Sequence, residues 1–260
     1  DFTIGSKLDS GSGSTTLSVF GTDRNLDLAG GDQGDGADIS GAELALITAT
    51  DLTVKTSGDI KTGGDITDIN TENISGTFKI DAGGDFVSST DAISTASVLS
   101  ITADGSVDLN GVVTASGGFS SEGAAFDNTG GAITTTDSAI TINHSGAVKV
   151  GGALSSGAGD VDIDSSESTV ALNSSIETTS GQVSIDSSGM TTVADAGDIT
   201  TATGKVVFGG NREGSLSTSG DVTTSGGDVQ FTRSMVLGKD VSIDTGITTG
   251  NIDFSGSVDG

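Results

Sequence analysis

The stretch that decides the fold runs from Gly220 to Phe254. It reads Gly220-Asp221-Val222-Thr223-Thr224-Ser225-Gly226-Gly227-Asp228-Val229-Gln230-Phe231 and, after a gap, Gly246-Ile247-Thr248-Thr249-Gly250-Asn251-Ile252-Asp253-Phe254. In this unit a short apolar-Thr-Thr strand meets a glycine turn, and a second short strand then carries two apolar residues one position apart. The unit recurs upstream at a nearly fixed distance, which indicates a repeat architecture.

Two ladders of apolar residues measure the repeat. The first is formed by the residue that opens each unit, with an unclear register between Ile60 and Ile93 and a nearly even spacing from Ile93 onward: Ile39, Ile60, Ile93, Val112, Ile133, Leu154, Ile176, Ile199, Val222 and Ile247. The second ladder repeats at nearly the same interval: Ile142, Ile163, Ile185, Phe208, Phe231 and Phe254. Two ladders with matching periods predict stacked coils of about 19–25 residues.

The strands within one coil are too short to form a stable sheet alone. A third, weaker strand is predicted in each coil at Val148-Lys149-Val150, Val170-Ala171-Leu172 and Val241-Ser242-Ile243. Stacking lets each strand pair with its equivalent one coil further on, while the inward side chains build one continuous core. The fold class is therefore predicted to be all-β, a right-handed parallel β-helix (β-solenoid) with three short strands per coil.

The composition agrees with a β-solenoid. Glycine accounts for 42 of the 260 residues and proline is absent, so corners can adopt positive φ and no ladder hydrogen bond is lost to proline. Helical periodicity is missing from the sequence. The alternative is a disordered Gly/Ser/Thr/Asp linker, which the evenly spaced apolar ladders disfavour.

A single domain is predicted over residues 1–260, with irregular coils at 1–38, a slipped register at 39–111 and regular repeats at 112–260. The chain begins Asp1-Phe2-Thr3-Ile4 without Met and ends in an ordinary coil. We therefore expect a processed chain or a segment of a longer fibre or array. Both ends are expected to meet another β-coil, from the same polypeptide or from a neighbouring copy stacked head to tail.

The net charge is −26, from 36 acidic and 10 basic residues. A field of that sign repels nucleic acid and anionic lipid, so neither is an expected partner, and no apolar run reaches the length of a membrane span. The sequence suggests calcium as a candidate ligand, because hard cations need several converging oxygens. The candidate metal ligands lie in the Gly/Asp stretch 30–38, where Gln33 replaces an expected glycine, and on an alternating acidic strand: Asp32, Asp35, Asp38, Asp160, Asp162 and Asp164. The structural alternative places these acids at turns and on the outer face, with no cofactor.

A threonine column lies two residues after the first ladder, at Thr62, Thr95, Thr114, Thr135, Thr178, Thr201, Thr224 and Thr249. Such a column suggests an ice-binding face. However, each of these threonines shares the parity of its apolar anchor, so it is expected to point inward or to lie at a corner. The position between anchor and threonine varies, which disfavours a flat binding plane.

Signals for enzymatic activity are few, and the chain is predicted not to be an enzyme. The single histidine, His144, is interpreted as a surface or turn residue. Arg212 and Arg233, one repeat period apart, are expected to stack one coil above the other beside Glu213 and Asp240, as surface ion pairs. Trp and Tyr are absent, although carbohydrate grooves and binding hot spots usually depend on them. The nine Phe residues are interpreted as core.

Three phrases carry a resemblance to a known family: Gly-Asp-Ile-Thr-Thr at 197–201, Gly-Asp-Val-Thr-Thr-Ser-Gly-Gly-Asp-Val at 220–229 and Gly-Gly-Asp-Ile-Thr at 63–67. They resemble the repeats of very large bacterial surface proteins, the filamentous-haemagglutinin-like adhesins, over roughly residues 39–260. The resemblance is one of repeat style. It implies a right-handed β-helix, export across the envelope, and a role as stalk, adhesin or matrix fibre.

The expected function is that of a secreted, extracellular structural or adhesive fibre or stalk protein of a bacterial cell surface or matrix. Its expected partners are further coils of the same kind and a cell-surface or carbohydrate ligand. The alternative is a polysaccharide-binding or polysaccharide-degrading β-helix protein. An enzyme of that kind needs a groove with clustered Asp, Lys or Arg, whereas a stalk needs none.

Overall fold

The structure of the chain is a computed structural model. It describes residues 3–30, 36–63, 68–210, 212–247 and 249–260, with the backbone alone described for 68–70. Strands dominate this part of the chain, and it contains one short helix. The all-β prediction is confirmed.

The elements in chain order are β1 (Leu8–Asp9), β2 (Ser14–Ser18), β3 (Leu26–Leu28), β4 (Ala37–Ile39), α1 (Gly41–Leu44), β5 (Ile47–Thr48), β6 (Asp51–Thr56), β7 (Ile60–Thr62), β8 (Asp68–Asn70), β9 (Thr77–Ala82), β10 (Phe86–Val87), β11 (Ala92–Thr95), β12 (Val98–Ala103), β13 (Ser106–Asp108), β14 (Val113–Ala115), β15 (Phe119–Gly123), β16 (Ala125–Asp127), β17 (Ile133–Thr134), β18 (Ile140–His144), β19 (Val148–Val150), β20 (Leu154–Gly157), β21 (Val161–Ser165), β22 (Val170–Leu172), β23 (Ile176–Thr178), β24 (Val183–Ser187), β25 (Thr191–Val193), β26 (Ile199–Thr201), β27 (Val206–Phe208), β28 (Leu216–Thr218), β29 (Val222–Thr224), β30 (Val229–Phe231), β31 (Met235–Leu237), β32 (Ile243–Asp244), β33 (Ile252–Phe254) and β34 (Val258–Asp259).

Three long parallel sheets form the sides of the solenoid, which has about nine turns. Sheet I has eleven strands, in the order β2-β6-β9-β12-β15-β18-β21-β24-β27-β30-β33. Sheet II has twelve strands, in the order β4-β3-β7-β10-β13-β16-β19-β22-β25-β28-β31-β34, and sheet III has nine, in the order β8-β11-β14-β17-β20-β23-β26-β29-β32. The chain visits I, II and III in turn, which confirms three strands per coil. The right-handed sense of winding stays a prediction.

The second apolar ladder is confirmed on sheet I. Its six residues face one another in successive strand pairs: Ile142 with Ile163, Ile163 with Ile185, Ile185 with Phe208, Phe208 with Phe231 and Phe231 with Phe254. The three Phe rings stack nearly parallel, with centroid distances of 5.3 and 5.0 Å. An in-register parallel ladder thus places identical side chains directly above one another.

The first ladder is correct from Ile133 to Val222 and wrong at both ends. Ile39 and Ile60 lie on sheet II, whereas Ile93 lies on sheet III, so the unclear register between them was a change of side. Val112 is exposed, and the paired residue is Val113, opposite Ile93 and Ile133. The error is a shift of a single position, which is enough to exchange the inward and outward faces of a strand.

The last coil shows the same kind of error. Ile247 is fully exposed, and Ile243 is the residue that pairs with Val222. The third strand predicted at 241–243 is therefore wrong, since Ile243 belongs to sheet III. Met235–Leu237 supplies the sheet II strand of this coil.

The core is a continuous column of inward side chains enclosed by the three sheets. Alternation is clear in β21 and β24, where Val161, Ile163, Val183 and Ile185 are fully buried. Six of the nine Phe residues are buried, as predicted: Phe78, Phe86, Phe119, Phe126, Phe208 and Phe231. Phe20 and Phe254 are exposed, so the core interpretation is wrong for these two. Phe2 lies outside the described residues.

The corner between sheets III and I carries a column of glycines. A Cβ added at Gly181 would lie 1.8 Å from the carbonyl oxygen of Gly159, one at Gly204 would lie 1.9 Å from that of Gly181, and one at Gly227 would lie 1.9 Å from that of Gly204. These separations are far below van der Waals contact. Glycine is therefore required here by the close approach of successive coils.

The two ends of the stack differ in the exposure of their apolar residues. Near the N-terminal end, α1 lies between β4 and β5, and Ser40 and Glu43 form a capping box at its start. Leu17, Leu44 and Ile47 are buried there, and residues 3–7 form no strand. In the last coil, the apolar side chains of β33 and β34 are about 41–45% exposed: Ile252, Phe254 and Val258.

Candidate functional site

The metal candidates that the structure describes lie on different sheets: Asp38 on sheet II, and Asp162 and Asp164 on sheet I. Asp32 and Asp35 lie outside the described residues. Asp38 is on β4 beside Asp27 of β3, and its Oδ1 is buried without a hydrogen-bond partner in the part of the chain that the structure describes. Within that same part, no group of three Asp, Glu, His or Cys side chains could hold a metal ion.

The three predicted acids of the outer strand face, Asp160 just before β21 and Asp162 and Asp164 within it, each have a different environment. Asp160 Oδ1 accepts a hydrogen bond from the backbone N–H of Gln182 at 2.7 Å. Asp164 binds Arg212. Partial burial, together with the charges of Asp164, Asp160 and nearby Asp186, raises the pKa of Asp162. The face thus holds neighbouring coils rather than forming a cage of oxygens.

Corner carboxylates act as backbone acceptors between successive coils. Asp198 Oδ1 accepts from the N–H of Asp221, and Asp221 Oδ1 accepts from the N–H of Ser242, both at 2.8 Å. The same contact recurs at Asp51, Asp59, Asp85, Asp137, Asp160 and Asp228. This contact explains the Gly-Asp-apolar phrase, since the aspartate in that phrase satisfies an N–H that the ladder leaves free.

Replacing Asp221 with alanine is expected to lower the free energy of unfolding by about 1 kcal/mol, because one charge-assisted hydrogen bond at a partly exposed corner is lost. Asp221→Asn is expected to stay near wild type, since Asn25 and Asn128 accept the same backbone contact from Asp59 and Gly151. Urea unfolding measures both variants. Asp240→Ala, at an exposed position, is the matched control, and an equal loss there would contradict the corner role.

Arg212 and Arg233 form an ion-pair cluster on sheet I, but not with the predicted partners. Arg212 binds Asp164 through Nε and Nη2, at 2.8 and 2.6 Å. Arg233 Nη2 binds Asp186 Oδ1, and Arg212 Nε lies 4.0 Å from Asp186 Oδ2. The expectation of Glu213 and Asp240 as partners is wrong, because each arginine reaches back across two coils to β21 or β24 rather than to its neighbours in sequence.

Arg233 is buried, contrary to the surface interpretation. Its side chain is 5% exposed, and Nη1 donates to the Ser187 carbonyl at 3.0 Å while Nη2 donates to the Arg212 carbonyl at 3.3 Å. Gly209, at φ +94°, makes room for it, since a Cβ there would lie 2.6 Å from Arg233 Nε. The cluster therefore ties four successive coils together from one side.

The cavity beside this cluster has a volume of about 440 Å³ and is lined by residues such as Glu213, Ser215, Thr232 and Ser255. The guanidinium groups are already bound to Asp164 and Asp186. This pairing leaves their charge compensated, so the cavity offers a polar wall rather than a strongly charged one.

His144 points inward, which the surface or turn interpretation did not anticipate. It is 1% exposed at the end of β18, and its Nε2 lies 3.0 Å from Ser121 Oγ. The Phe126 ring lies 5.4 Å away, tilted by 48°. Burial, offset only in part by the Gly123 backbone, lowers the pKa of His144 to about 4. The imidazole is therefore neutral at neutral pH.

The threonine column points inward where its anchors are correct. Thr95, Thr135, Thr178, Thr201 and Thr224 are buried, whereas Thr114, which follows the misassigned Val112, is exposed. Inward hydroxyls close the glycine corner: Thr178 Oγ1 donates to the Gly181 carbonyl at 2.8 Å, and Thr201 Oγ1 accepts from the Gly204 N–H at 2.9 Å. The inward-pointing expectation is confirmed for these five.

Comparisons with known proteins identify no relative: no family model, no curated protein and no solved structure matches the chain. In the described ranges, no helix has the length and apolar character that crossing a bilayer requires.

Proposed function

We propose that the chain is an extracellular structural or adhesive element, a stalk or fibre segment of a bacterial cell surface or matrix. The observation that carries this proposal is the unbroken parallel ladder of sheet I, eleven strands from β2 to β33. Its hydrogen bonds run along the long axis. At roughly 4.8 Å per coil, the steps between these strands add up to a length of about 50 Å.

The placement of charged side chains supports a mechanical role. Corner aspartates join one coil to the next through backbone N–H groups, and the Arg212–Asp164 and Arg233–Asp186 pairs join coils further apart. Acidic and basic residues that an enzyme would place in a cleft are thus used between coils. The remaining acids on the outer faces keep a long β-structure soluble and discourage lateral pairing.

Assembly along the axis is part of this proposal. Ile252 and Phe254 of β33 and Val258 of β34 are about 41–45% exposed, whereas equivalent residues in earlier coils are buried. A further β-coil, from the same polypeptide or from a second copy, would cover them and extend the Phe208–Phe231–Phe254 stack. Head-to-tail continuation follows from this proposal.

The bacterial and adhesive part of the proposal rests on repeat style. The Gly-Asp-apolar-Thr-Thr phrases at 197–201 and 220–224 resemble those of filamentous-haemagglutinin-like surface proteins. Secretion to the cell surface or matrix belongs to this part of the proposal.

Imaging and a hydrolysis assay test the proposal together. Electron microscopy of native material, with antibody labelling of intact cells, is expected to show elongated surface particles of one coil's width. The purified chain is expected to release no reducing ends from neutral or acidic polysaccharides. Compact intracellular particles, or polysaccharide cleavage abolished by Asp164→Asn, would overturn the stalk and favour the polysaccharide-active alternative.

A further inference from the structure

The chain has a single histidine, and it lies in the core of the solenoid. His144 pairs with Gly123 of β15 on one side and with Ser165 of β21 on the other. Ser121 Oγ lies 3.0 Å from Nε2. In the described part of the chain, Nδ1 is buried and has no hydrogen-bond partner. The Gly123 backbone offsets the effect of burial on the ring only in part.

Charged groups on the strands around His144 lie on the opposite face. β15 and β21 flank β18 within sheet I, and β16 and β19 continue the coils of β15 and β18 into sheet II. The ionisable residues of these strands occupy positions that alternate with the buried ones: Glu122, Asp127, Lys149, Asp162 and Asp164. Lys149 pairs with Asp127, and Arg212 pairs with Asp164. An imidazolium at His144 would thus have no counter-ion inside the core.

We propose that His144 is an acid-sensitive release point, at which uptake of one proton opens the coils carrying β15, β18 and β21 ahead of the rest of the solenoid. A charged imidazole in this core is costly because it is neither solvated nor paired. The open state lets water reach the ring, so protonation and opening are coupled. Coils of a solenoid contact only their neighbours, which allows such an opening to stay local.

The direction of the pH effect follows from proton linkage. The open state binds the proton with an ordinary pKa near 6.5, and burial lowers the pKa of His144 to about 4 in the closed state. The stabilising effect of the neutral imidazole is therefore complete above about pH 6.5 and is lost as the pH falls toward 4. Over that interval the opening constant should rise by about a hundredfold.

Proton NMR gives a direct test because the only imidazole signals in the spectrum come from His144. The Cε1 proton is expected to keep its neutral shift down to below pH 5. Amide exchange, corrected for intrinsic rates, should show protection falling first in β15, β18 and β21. A titration centred near pH 6.5 in the folded chain would overturn the proposal.

Two variants separate protonation from packing. In His144→Gln, the opening constant should rise much less between pH 6.5 and 4 than in the wild type, since only the titration of the carboxylates remains. Ser121→Ala keeps the imidazole, so opening should increase at every pH with the wild-type pH dependence retained. This second variant decides the matter if His144→Gln does not fold. The same hundredfold rise in His144→Gln, or a flat profile in Ser121→Ala, would refute the release point.

Discussion

Replacing Phe231 with alanine is expected to lower the free energy of unfolding by about 3–5 kcal/mol. The side chain is 1% exposed and lies between Phe208 and Phe254 in the stack, with centroid distances of 5.3 and 5.0 Å. Truncation leaves a cavity that rigid parallel strands above and below cannot close. Both ring contacts are lost in one step.

Gln230→Ala is the matched control, one position away on the same strand. Gln230 points outward, and its Oε1 accepts a hydrogen bond from Lys205 Nζ at 2.8 Å, so its removal should cost less than about 1 kcal/mol. Urea unfolding followed by far-UV circular dichroism measures both variants, since the chain has no Trp or Tyr. Similar losses for the two would contradict the assigned alternation of β30.

Arg233→Ala is expected to destabilise the chain by about 3–5 kcal/mol, the usual effect of removing one member of a buried ion pair. The substitution removes the Nη2 contact of Asp186, whose side chain is 18% exposed, while Arg212 Nε lies 4.0 Å from Asp186 Oδ2. The Ser187 carbonyl also loses the Nη1 donor. Asp186 then carries a less well compensated charge against the sheet.

Lys239→Ala provides the comparison with an exposed ion pair. Lys239 pairs with Asp195, and the two side chains are 44% and 76% exposed. Solvent-exposed pairs contribute about 0–1 kcal/mol, and salt screens them. Unfolding should be measured by heat or urea, because guanidinium salts screen ion pairs. We expect Arg233→Ala to be much less stable than Lys239→Ala. Equal values for the two would show that burial of Arg233 adds nothing.

The sequence was sufficient to predict the architecture, because solenoid period and strand alternation are both local signals. The pairing of ladder residues such as Ile163 and Phe208 could be predicted from their spacing in the sequence alone. The error at Val112 arose from two adjacent valines, of which Val113 is the one that pairs with Ile93 and Ile133. The error at Ile247 arose where coil length changed, since Ile243 is the residue that pairs with Val222. A corner can gain or lose one residue without altering composition, and only the pairing of the next strand shows which residue turned inward.

The side-chain clusters were less predictable. His144 has the parity of Ile140 and Ile142, so alternation alone could have placed it in the core. The partner of Arg212 could not be found in this way, because Asp164 lies 48 residues earlier. Which of several outward acids a long side chain reaches depends on corner geometry, and nothing in the composition of the loop around 209–215 specifies that.

The glycine column at the corner between sheets III and I constrains how this sequence can change. Each glycine of this column lies against the coil before it, since a methyl group at Gly204 would meet the Gly181 carbonyl. A point mutation there forces two coils apart. Duplication or deletion of the whole coil that carries Gly181 or Gly204 leaves the next glycine of the column facing another glycine. Recombination between repeats can therefore change the length of the protein in steps of roughly 4.8 Å. Point mutations at the glycine corners are tolerated less readily.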